Sequence, residues 1–322
     1  MQFYEHDPNY FRHNHEINKD HFKKWDIQKI PCRKCWACQL NYSAEWATRI
    51  MLEAKKTPGC NFFVTLTYDD LHLPIAENIE TETEVYENDG TWNGTLNEPD
   101  MVRFLNSLRK SYERQGYKGI KYFYCGEYGE TTGRPHYHII LLHCPIDIRQ
   151  FYDCHVDTNY KAHWKSHQLE KYWQEGILDV SELEWSCAAY VARYCTKKIT
   201  FDRDKSIYYK QGKMPEFIRM SKGIGFEWYQ EHKDEIYKTD EIIMRTIRGN
   251  VGSAKPPKAF DRKFKEQFPE EFELIKQSRQ TAAERADKLL QKQTDRTEYE
   301  NLILDAEKVK TKMQMLPRVG EF

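Results

Sequence analysis

The apolar residues of this chain concentrate in a few short runs separated by long charged segments. The run NFFVTLTY at 61–68 is rich in β-branched and aromatic residues, which predicts a buried strand. Two further runs, IKYFYCGEY at 120–128 and PHYHIILLH at 135–143, are joined by the turn-rich GETTGR. Apolar runs joined by a short glycine-containing loop predict a β-hairpin.

Other stretches carry apolar residues at helical spacing. NYSAEWATRIMLEAKK at 41–56 predicts a helix that the following Pro-Gly pair ends. A second helix is predicted from Pro99, near its first turn, to a stop at Gly116. Its apolar face is expected to carry Val102, Leu105 and Leu108. SCAAYVARYCTKKI at 186–199 predicts a third helix, whose basic last turn suits the helix dipole.

The remaining segments are more polar. The acidic stretch 77–98 contains an Asp-Gly pair at 89–90 and predicts a protruding hairpin, and 147–176 is expected to be helical in parts. GSAKPPK at 252–258 resembles a linker, and 269–312 is charged and helical in pattern. Apolar residues between 302 and 316 keep a four-three spacing, which fits either a coiled coil with a partner or a helix lying on its own domain.

Composition restricts the class of protein. The 322 residues include 49 basic and 50 acidic side chains, so a nucleic-acid partner would need a local basic surface. The mean hydropathy is -0.86, no run approaches the roughly 20 apolar residues of a membrane span, and the polar N-terminus lacks a secretory pattern. We therefore expect a cytosolic protein without a membrane partner. Nine cysteines, an odd number, favour thiols or a metal site over a disulfide framework.

Two histidines lie one residue apart in the second arm of the predicted hairpin. His136 and His138 would share one face of a strand, and Glu127 on the first arm would lie opposite them. Two imidazoles and a carboxylate leave open positions on a divalent ion, as a catalytic site requires. Glu130 is the rival third ligand, nearer the turn. The alternative is a pair of half-buried structural histidines; the same spacing at 13–15 lies in a polar segment without a strand pattern.

Two tyrosines occupy one face of the predicted helix at 186–199. Tyr190 and Tyr194 are four residues apart, and Lys197 follows on the same face. An aromatic stripe in the core is the alternative interpretation. However, residues 188–222 hold nine Lys/Arg against three Asp/Glu, with six interleaved aromatic residues. Cations for phosphates and flat rings for bases are what a single-stranded nucleic-acid track needs.

These two groups together suggest one reaction. A metal at His136, His138 and Glu127 would polarise a scissile phosphate, and a tyrosine hydroxyl would attack it. Because a phenol has a pKa near 10, positive charge from Lys197 would favour the phenolate or balance the phosphate. The products would be a covalent phosphotyrosine and a free hydroxyl, and two tyrosines could take turns.

Three stretches carry a resemblance to a known family. FVTLTYDD at 63–70, GEYGETTGRPHYHIILL at 126–142 and YVARYCTKK at 190–198 resemble, in order and spacing, the three motifs of HUH endonucleases that initiate rolling-circle replication. The paired-tyrosine form is most similar to initiators of small isometric single-stranded DNA phages of the microvirus group. In that family the second motif supplies the metal histidines, and the third supplies the nucleophiles and a lysine corresponding to Lys197.

The resemblance spans about residues 30–230 and carries implications for fold and activity. It implies an α+β core with a central antiparallel sheet, helices packed on one side and the metal site on central strands. We divide the chain into a polar extension (1–30), a nicking domain with the acidic hairpin (31–250) and a helical C-terminal region (251–322). The implied activity is metal-dependent nicking, leaving a 5′-phosphotyrosine and a free 3′-OH, and later rejoining.

The implied cofactor is Mg²⁺ or Mn²⁺, and the implied partners are single-stranded phage-origin DNA with a host helicase and polymerase, in the host bacterial cytoplasm. The helicase is inferred because the chain shows no nucleotide-binding loop. A relaxase or transposase with the same site, a non-catalytic single-stranded nucleic-acid binder and a zinc-stabilised structural protein remain alternatives.

A cysteine cluster precedes the first helix. Cys32, Cys35 and Cys38 follow a C-x2-C-x2-C pattern and could hold a structural Zn²⁺, with Cys60 or a histidine as fourth ligand. A second C-x2-C pair is absent, so reduced thiols beside a basic helix are the alternative, and an iron–sulfur cluster would also need a fourth ligand.

Overall fold

A computed structural model describes most of the chain. Its residues divide into two compact units, Trp46–Trp228 and the described parts of 36–45 and 229–315. The described residues are 36–78, 83–84, 93–129, 132–157, 160–199, 206–245, 251–294, 296 and 298–315.

Strands and helices alternate irregularly along the described residues. The strands are β1 Phe62–Tyr68, β2 Glu77–Asn78, β3 Thr83–Glu84, β4 Lys121–Tyr128, β5 Pro135–Leu142, β6 Phe151–Val156, β7 Ala162–Ser166, β8 Gly176–Glu182, β9 Phe217–Met220, β10 Ile242–Arg245 and β11 Val251–Ala254. The helices are α1 Trp36–Ala54, α2 Glu98–Arg114, α3 His167–Glu170, α4 Trp185–Ile199, α5 Ser206–Lys210, α6 Phe226–Thr239, α7 Lys258–Gln267, α8 Pro269–Gln293 and α9 Glu298–Met315.

The larger unit is built on one seven-stranded sheet. Its strand order is β6-β7-β8-β1-β5-β4-β9, and every neighbouring pair is antiparallel. The three predicted apolar runs form β1, β4 and β5, and β5 lies between the other two. The fold class expected from the resemblance, an α+β protein with a central antiparallel sheet and flanking helices, is confirmed.

Both faces of this sheet are covered, so the expected packing of helices on one side only is wrong. On one face α2 packs against Leu66, Tyr137 and other core residues, and on the opposite face α1 and α4 pack against Phe63 and Ile140. The physical reason lies in β5, where the consecutive residues 139–142 are all fully buried. A strand with an unbroken apolar run needs cover on both sides.

Three local predictions also need correction. Val102 is 47% exposed, and the buried face of α2 instead carries Met101, Phe104, Leu105, Leu108 and Tyr112. Most of 151–166 forms the β6–β7 pair rather than helix. Residues 252–254 of the expected linker belong to β11, which pairs with β10. Gly116 has a positive φ of 89° just after α2, as its role of stop signal requires.

The acidic stretch contains a short hairpin in its first part. Glu77 and Asn78 of β2 pair with Glu84 and Thr83 of β3. The Asp-Gly pair at 89–90 lies outside the described residues. Across the described ranges, each helix is too short or too polar to cross a bilayer.

The smaller unit is mainly helical. Within it, Tyr237 of α6 stacks on Phe264 of α7 with ring centroids 3.8 Å apart. Arg279 of α8 reaches two carboxylates, with 2.7 Å between its Nη1 and Oδ2 of Asp261 and 3.0 Å between its Nε and Oδ2 of Asp240. These bidentate ion pairs tie the start of the long α8 to the rest of the unit.

Candidate functional site

The predicted metal ligands meet in the middle of the larger sheet. His136 and His138 lie two residues apart on β5, so their side chains share the face that α4 covers. Glu127 on β4 is paired directly with His136, and Thr65 on β1 is paired with His138. The tight β4–β5 connection fixes this register, and the register brings the carboxylate to the imidazoles.

The three side chains converge on one carboxylate oxygen. Oε1 of Glu127 lies 2.9 Å from Nε2 of His136 and 2.8 Å from Nε2 of His138. The three residues form one of the two groups among the described residues that could hold a metal ion. Glu127 and His138 are fully buried, whereas the side chain of His136 keeps 15% of its surface exposed. A ligand from solvent would therefore approach from the His136 side.

A second layer of contacts orients both imidazoles. Nδ1 of His136 donates to the carbonyl oxygen of Arg134 over 3.1 Å, and Nδ1 of His138 is 3.0 Å from the Thr65 hydroxyl. In each ring the Nδ1 contact leaves Nε2 directed at Glu127. Metal-binding histidines in proteins are held in this way, because the outer hydrogen bond fixes the tautomer and the ring plane.

The protonation states also suit a cation. Burial alone would raise the pKa of Glu127, but the facing His138 and His136 lower it to about 2. Burial lowers the pKa of His138 from its usual value despite the neighbouring carboxylate. Oε2 of Glu127 is buried with no hydrogen-bond partner among the described residues. An ionised carboxylate with a spare oxygen beside neutral imidazoles fits a divalent metal.

Tyr190 reaches the same centre from helix α4. Its hydroxyl donates to Oε1 of Glu127 over 3.4 Å, and its ring meets the edge of the His138 ring at a centroid distance of 5.4 Å. The side chain is buried, with 6% of its surface exposed, so the core-stripe alternative and the site role coincide at this residue. The structure thus brings together four of the residues named from the sequence.

Other named residues cannot be placed in this way. Tyr194 and Lys197 lie on α4, but their side chains are outside the described part, as are Glu130, Cys32 and Cys35. Cys38 lies on α1, and Cys60 precedes β1. Neither of the two candidate ligand groups among the described residues contains Cys38 or Cys60.

Sequence reasoning missed a second polar group on this face of the sheet. His155 on β6, His163 on β7 and Asp179 on β8 form the other candidate metal group of the described residues. The segment was expected to be helical in parts, which hid the cross-strand relation of its two histidines. The turn-forming residues at 157–160, between two short β-prone runs, were the signal that could have revealed the hairpin.

Tyr137, between the two site histidines, points to the opposite face and into the core, as the strand period predicts. Its hydroxyl accepts from the backbone N–H of Asn97 over 2.8 Å, donates to the Asn97 carbonyl over 3.0 Å, and lies 3.0 Å from the Tyr68 hydroxyl. This buried cluster lies on the side of the sheet away from Glu127.

The Tyr137→Phe variant should therefore lose stability and keep its activity. Removing one hydroxyl leaves buried partners unsatisfied, which costs about 1–3 kcal/mol in the free energy of unfolding. Urea denaturation measures that loss, and a DNA-nicking assay under conditions where the variant is folded should match the unmodified protein. A large drop in nicking by the folded variant would contradict the assignment of Tyr137 to the core.

Comparison with known proteins gives a consistent set of matches. The family model of replication-associated proteins of the ORF2 type matches residues 61–199, which run from β1 to the end of α4. The chain is 36% identical over 290 residues to the replication-associated protein ORF2 of Spiroplasma virus 4, covering 84% of this chain and 82% of that relative.

Two more distant relatives carry similar names. The replication-associated protein VP4 of Bdellovibrio phage phiMH2K is 25% identical over 76% of this chain and 70% of its own length. The replication-associated protein ORF4 of Chlamydia phage 1 is 27% identical over 68% of this chain and 50% of its own length. No solved structure matches the chain.

Proposed function

This chain belongs to the ORF2 family of phage replication-associated proteins, and we propose that it initiates replication by nicking single-stranded origin DNA. In the proposed reaction, a tyrosine attacks a backbone phosphate with help from a divalent metal. The DNA then stays attached through a 5′-phosphotyrosine, and the free 3′-OH primes synthesis. A later transfer rejoins the strand.

One observation carries this proposal. A single carboxylate oxygen, Oε1 of Glu127, lies within hydrogen-bond distance of both His136 and His138 and also accepts from Tyr190. A tyrosine hydroxyl therefore lies at the edge of a ligand set suited to a divalent ion. A non-catalytic binding sheet has no need for this convergence, because it reads bases with exposed rings.

The chain's own residues would each have a defined part. When bound, a divalent ion would supply Lewis-acid polarisation of the scissile phosphate. Oη of Tyr190 forms the new bond to phosphorus, its proton leaves with the help of a neighbouring acceptor, and the bond from phosphorus to the 3′-oxygen breaks. The departing oxygen takes up a proton and becomes the free 3′-OH.

Tyr194 and Lys197 complete the proposal from their positions on α4. Residues four apart on a helix lie on one face, so Tyr194 is placed to make the second attack while Tyr190 holds a DNA end. Lys197, one turn further, would balance charge on the phosphate or favour the phenolate. The relaxase and transposase alternatives use the same chemistry, and the phage names of the relatives favour the initiator.

Metal dependence is the direct test of the reaction class. The full chain, incubated with single-stranded DNA that carries the phage origin and with Mn²⁺ or Mg²⁺, should form an adduct that survives SDS. Chelation with EDTA should abolish the adduct, and excess Mn²⁺ should restore it. An adduct of the same yield in EDTA would rule out a role for the metal, and DNA binding without any adduct would favour the non-catalytic alternative.

A further inference from the structure

A second set of metal-ligand side chains lies on the same face of the sheet, on the three strands at one edge. His155, His163 and Asp179 come from β6, β7 and β8, one residue from each neighbouring strand. One ligand atom from each side chain lies within 4.8 Å of the other two. The nicking reaction proposed above does not use these residues.

The register of the strands explains why they meet. His155 is paired directly with His163 across β6 and β7, and His163 is paired with Ser181, two residues from Asp179 on β8. The two imidazoles stack with ring centroids 5.3 Å apart. Side chains two apart on a strand point the same way, so Asp179 lies diagonally under the histidine pair.

A bulge in β6 is needed for this pairing. Tyr152 is paired with Lys165 and His155 with His163, so β6 uses three steps where β7 uses two. Without the extra residue, Cys154 would lie opposite His163. Asp153 at the bulge has a positive φ of 52°, a conformation that aspartate tolerates better than most residues. Bulges re-aim side chains, and this one turns His155 to the side of the other two ligands.

The distances within the group match a small cation. Nε2 of His155 lies 3.7 Å from Oδ1 of Asp179. Tetrahedral ligands of Zn²⁺, with bonds of about 2.0–2.1 Å, are about 3.3 Å apart, so small side-chain movements would suffice. Oδ1 of Asp179 is buried with no hydrogen-bond partner in the described part of the chain, and the carboxylate side chain is only 10% exposed.

Two further contacts define the state without an ion. Nδ1 of His163 is 2.5 Å from Oδ2 of Asp179, too close for two ligands of one ion, so these atoms share a proton that metal binding would release or retain as an outer hydrogen bond. Oδ2 of Asp157, in the β6–β7 turn, is 3.6 Å from Nε2 of His163 and supplies a fourth donor on the other side of the ring.

From this arrangement we infer that His155, His163 and Asp179 form a second divalent-metal site, which binds Zn²⁺ and fastens the β6–β7 hairpin to β8. Two imidazoles and a carboxylate are a ligand set that suits Zn²⁺. Asp179 and His138 flank Thr65 on its two neighbouring strands, so the two sites are about 10 Å apart from the strand spacing. Catalytic metal pairs lie about 3.5–4 Å apart, so the second site is a separate one.

Zinc stoichiometry tests the site in the full chain. After chelator treatment and desalting, Zn²⁺ bound at equilibrium is measured by mass spectrometry of the metal. His155→Ala, a change at a half-exposed side chain, should bind one equivalent less than the unmodified protein. The matched control is His72→Ala, another half-exposed imidazole bonded to an aspartate but outside both ligand groups, and it should bind the full amount. Equal binding by all three proteins overturns the site.

Hydrogen exchange locates the ion and is independent of nicking. Zn²⁺ should slow amide exchange across 151–166 in the unmodified protein and in His136→Ala, and should have no such effect in His155→Ala. Asp179→Asn keeps the shape of the side chain but removes its charge, so it should need at least tenfold more Zn²⁺ for the same protection. Protection that persists in His155→Ala, or no protection in the unmodified protein, would leave only a buried His–Asp pair. Failure of the nicking assay would not change either result.

Discussion

The Tyr190→Phe, Tyr194→Phe double variant is expected to form no SDS-resistant adduct with origin DNA. Phenylalanine keeps the ring and its packing but lacks the oxygen that would bond to phosphorus. Removing the nucleophile of a covalent mechanism lowers turnover by at least about 10⁴-fold. The fold should survive, because Tyr190 loses one hydrogen bond of 3.4 Å and keeps its ring contact with His138.

The control for this experiment is a tyrosine far from the site. Tyr117 is half-exposed in the loop before β4, at the end of that strand remote from Glu127, and Tyr117→Phe should form adduct normally. Single variants then assign the order: the tyrosine that attacks first is the one whose loss alone prevents the first adduct. Because Tyr190 donates to Glu127, we expect Tyr190→Phe to have this effect. An undiminished adduct in the double variant would refute both tyrosines as nucleophiles.

The central hairpin and its site could be predicted because local rules determine them. A short loop between β4 and β5 permits few registers, and the apolar run after His138 fixes which face is buried. Together these two rules are enough to place Glu127 opposite His136 from the sequence alone. The helix that carries Tyr190 was also predicted, since its periodicity and basic end are both readable in 186–199.

The rest of the sheet depended on information that local patterns lack. The bulge between Tyr152 and His155 breaks the two-residue period of β6, so 151–166 shows no clean strand signal. The cover on both faces is set by distant helices rather than by any one run. Val102 fits a helical apolar stripe, yet in the structure the neighbouring Met101 is buried instead. Only tertiary packing decides between such neighbours.

The His136→Ala variant is expected to lose nicking while it retains DNA binding. Its imidazole is one of two that face Oε1 of Glu127, so its loss leaves a bidentate remnant of the ligand set. Even groups that only orient a metal ligand are worth about 10–100-fold, and we expect a loss of about 100-fold or more at limiting Mn²⁺. Because His136 is the most exposed of the three ligands, its removal should disturb the core least.

Metal titration separates this role from a structural one. With Glu127 and His138 intact, the weakened site should fill at high Mn²⁺, so part of the nicking by His136→Ala should return as Mn²⁺ is raised. A residue that only supports the fold would give a deficit that no metal concentration repairs. His72→Ala, which also removes an imidazole bonded to a carboxylate, should show the Mn²⁺ dependence of the unmodified protein. Unchanged nicking by His136→Ala at low Mn²⁺ would remove His136 from the ligand set.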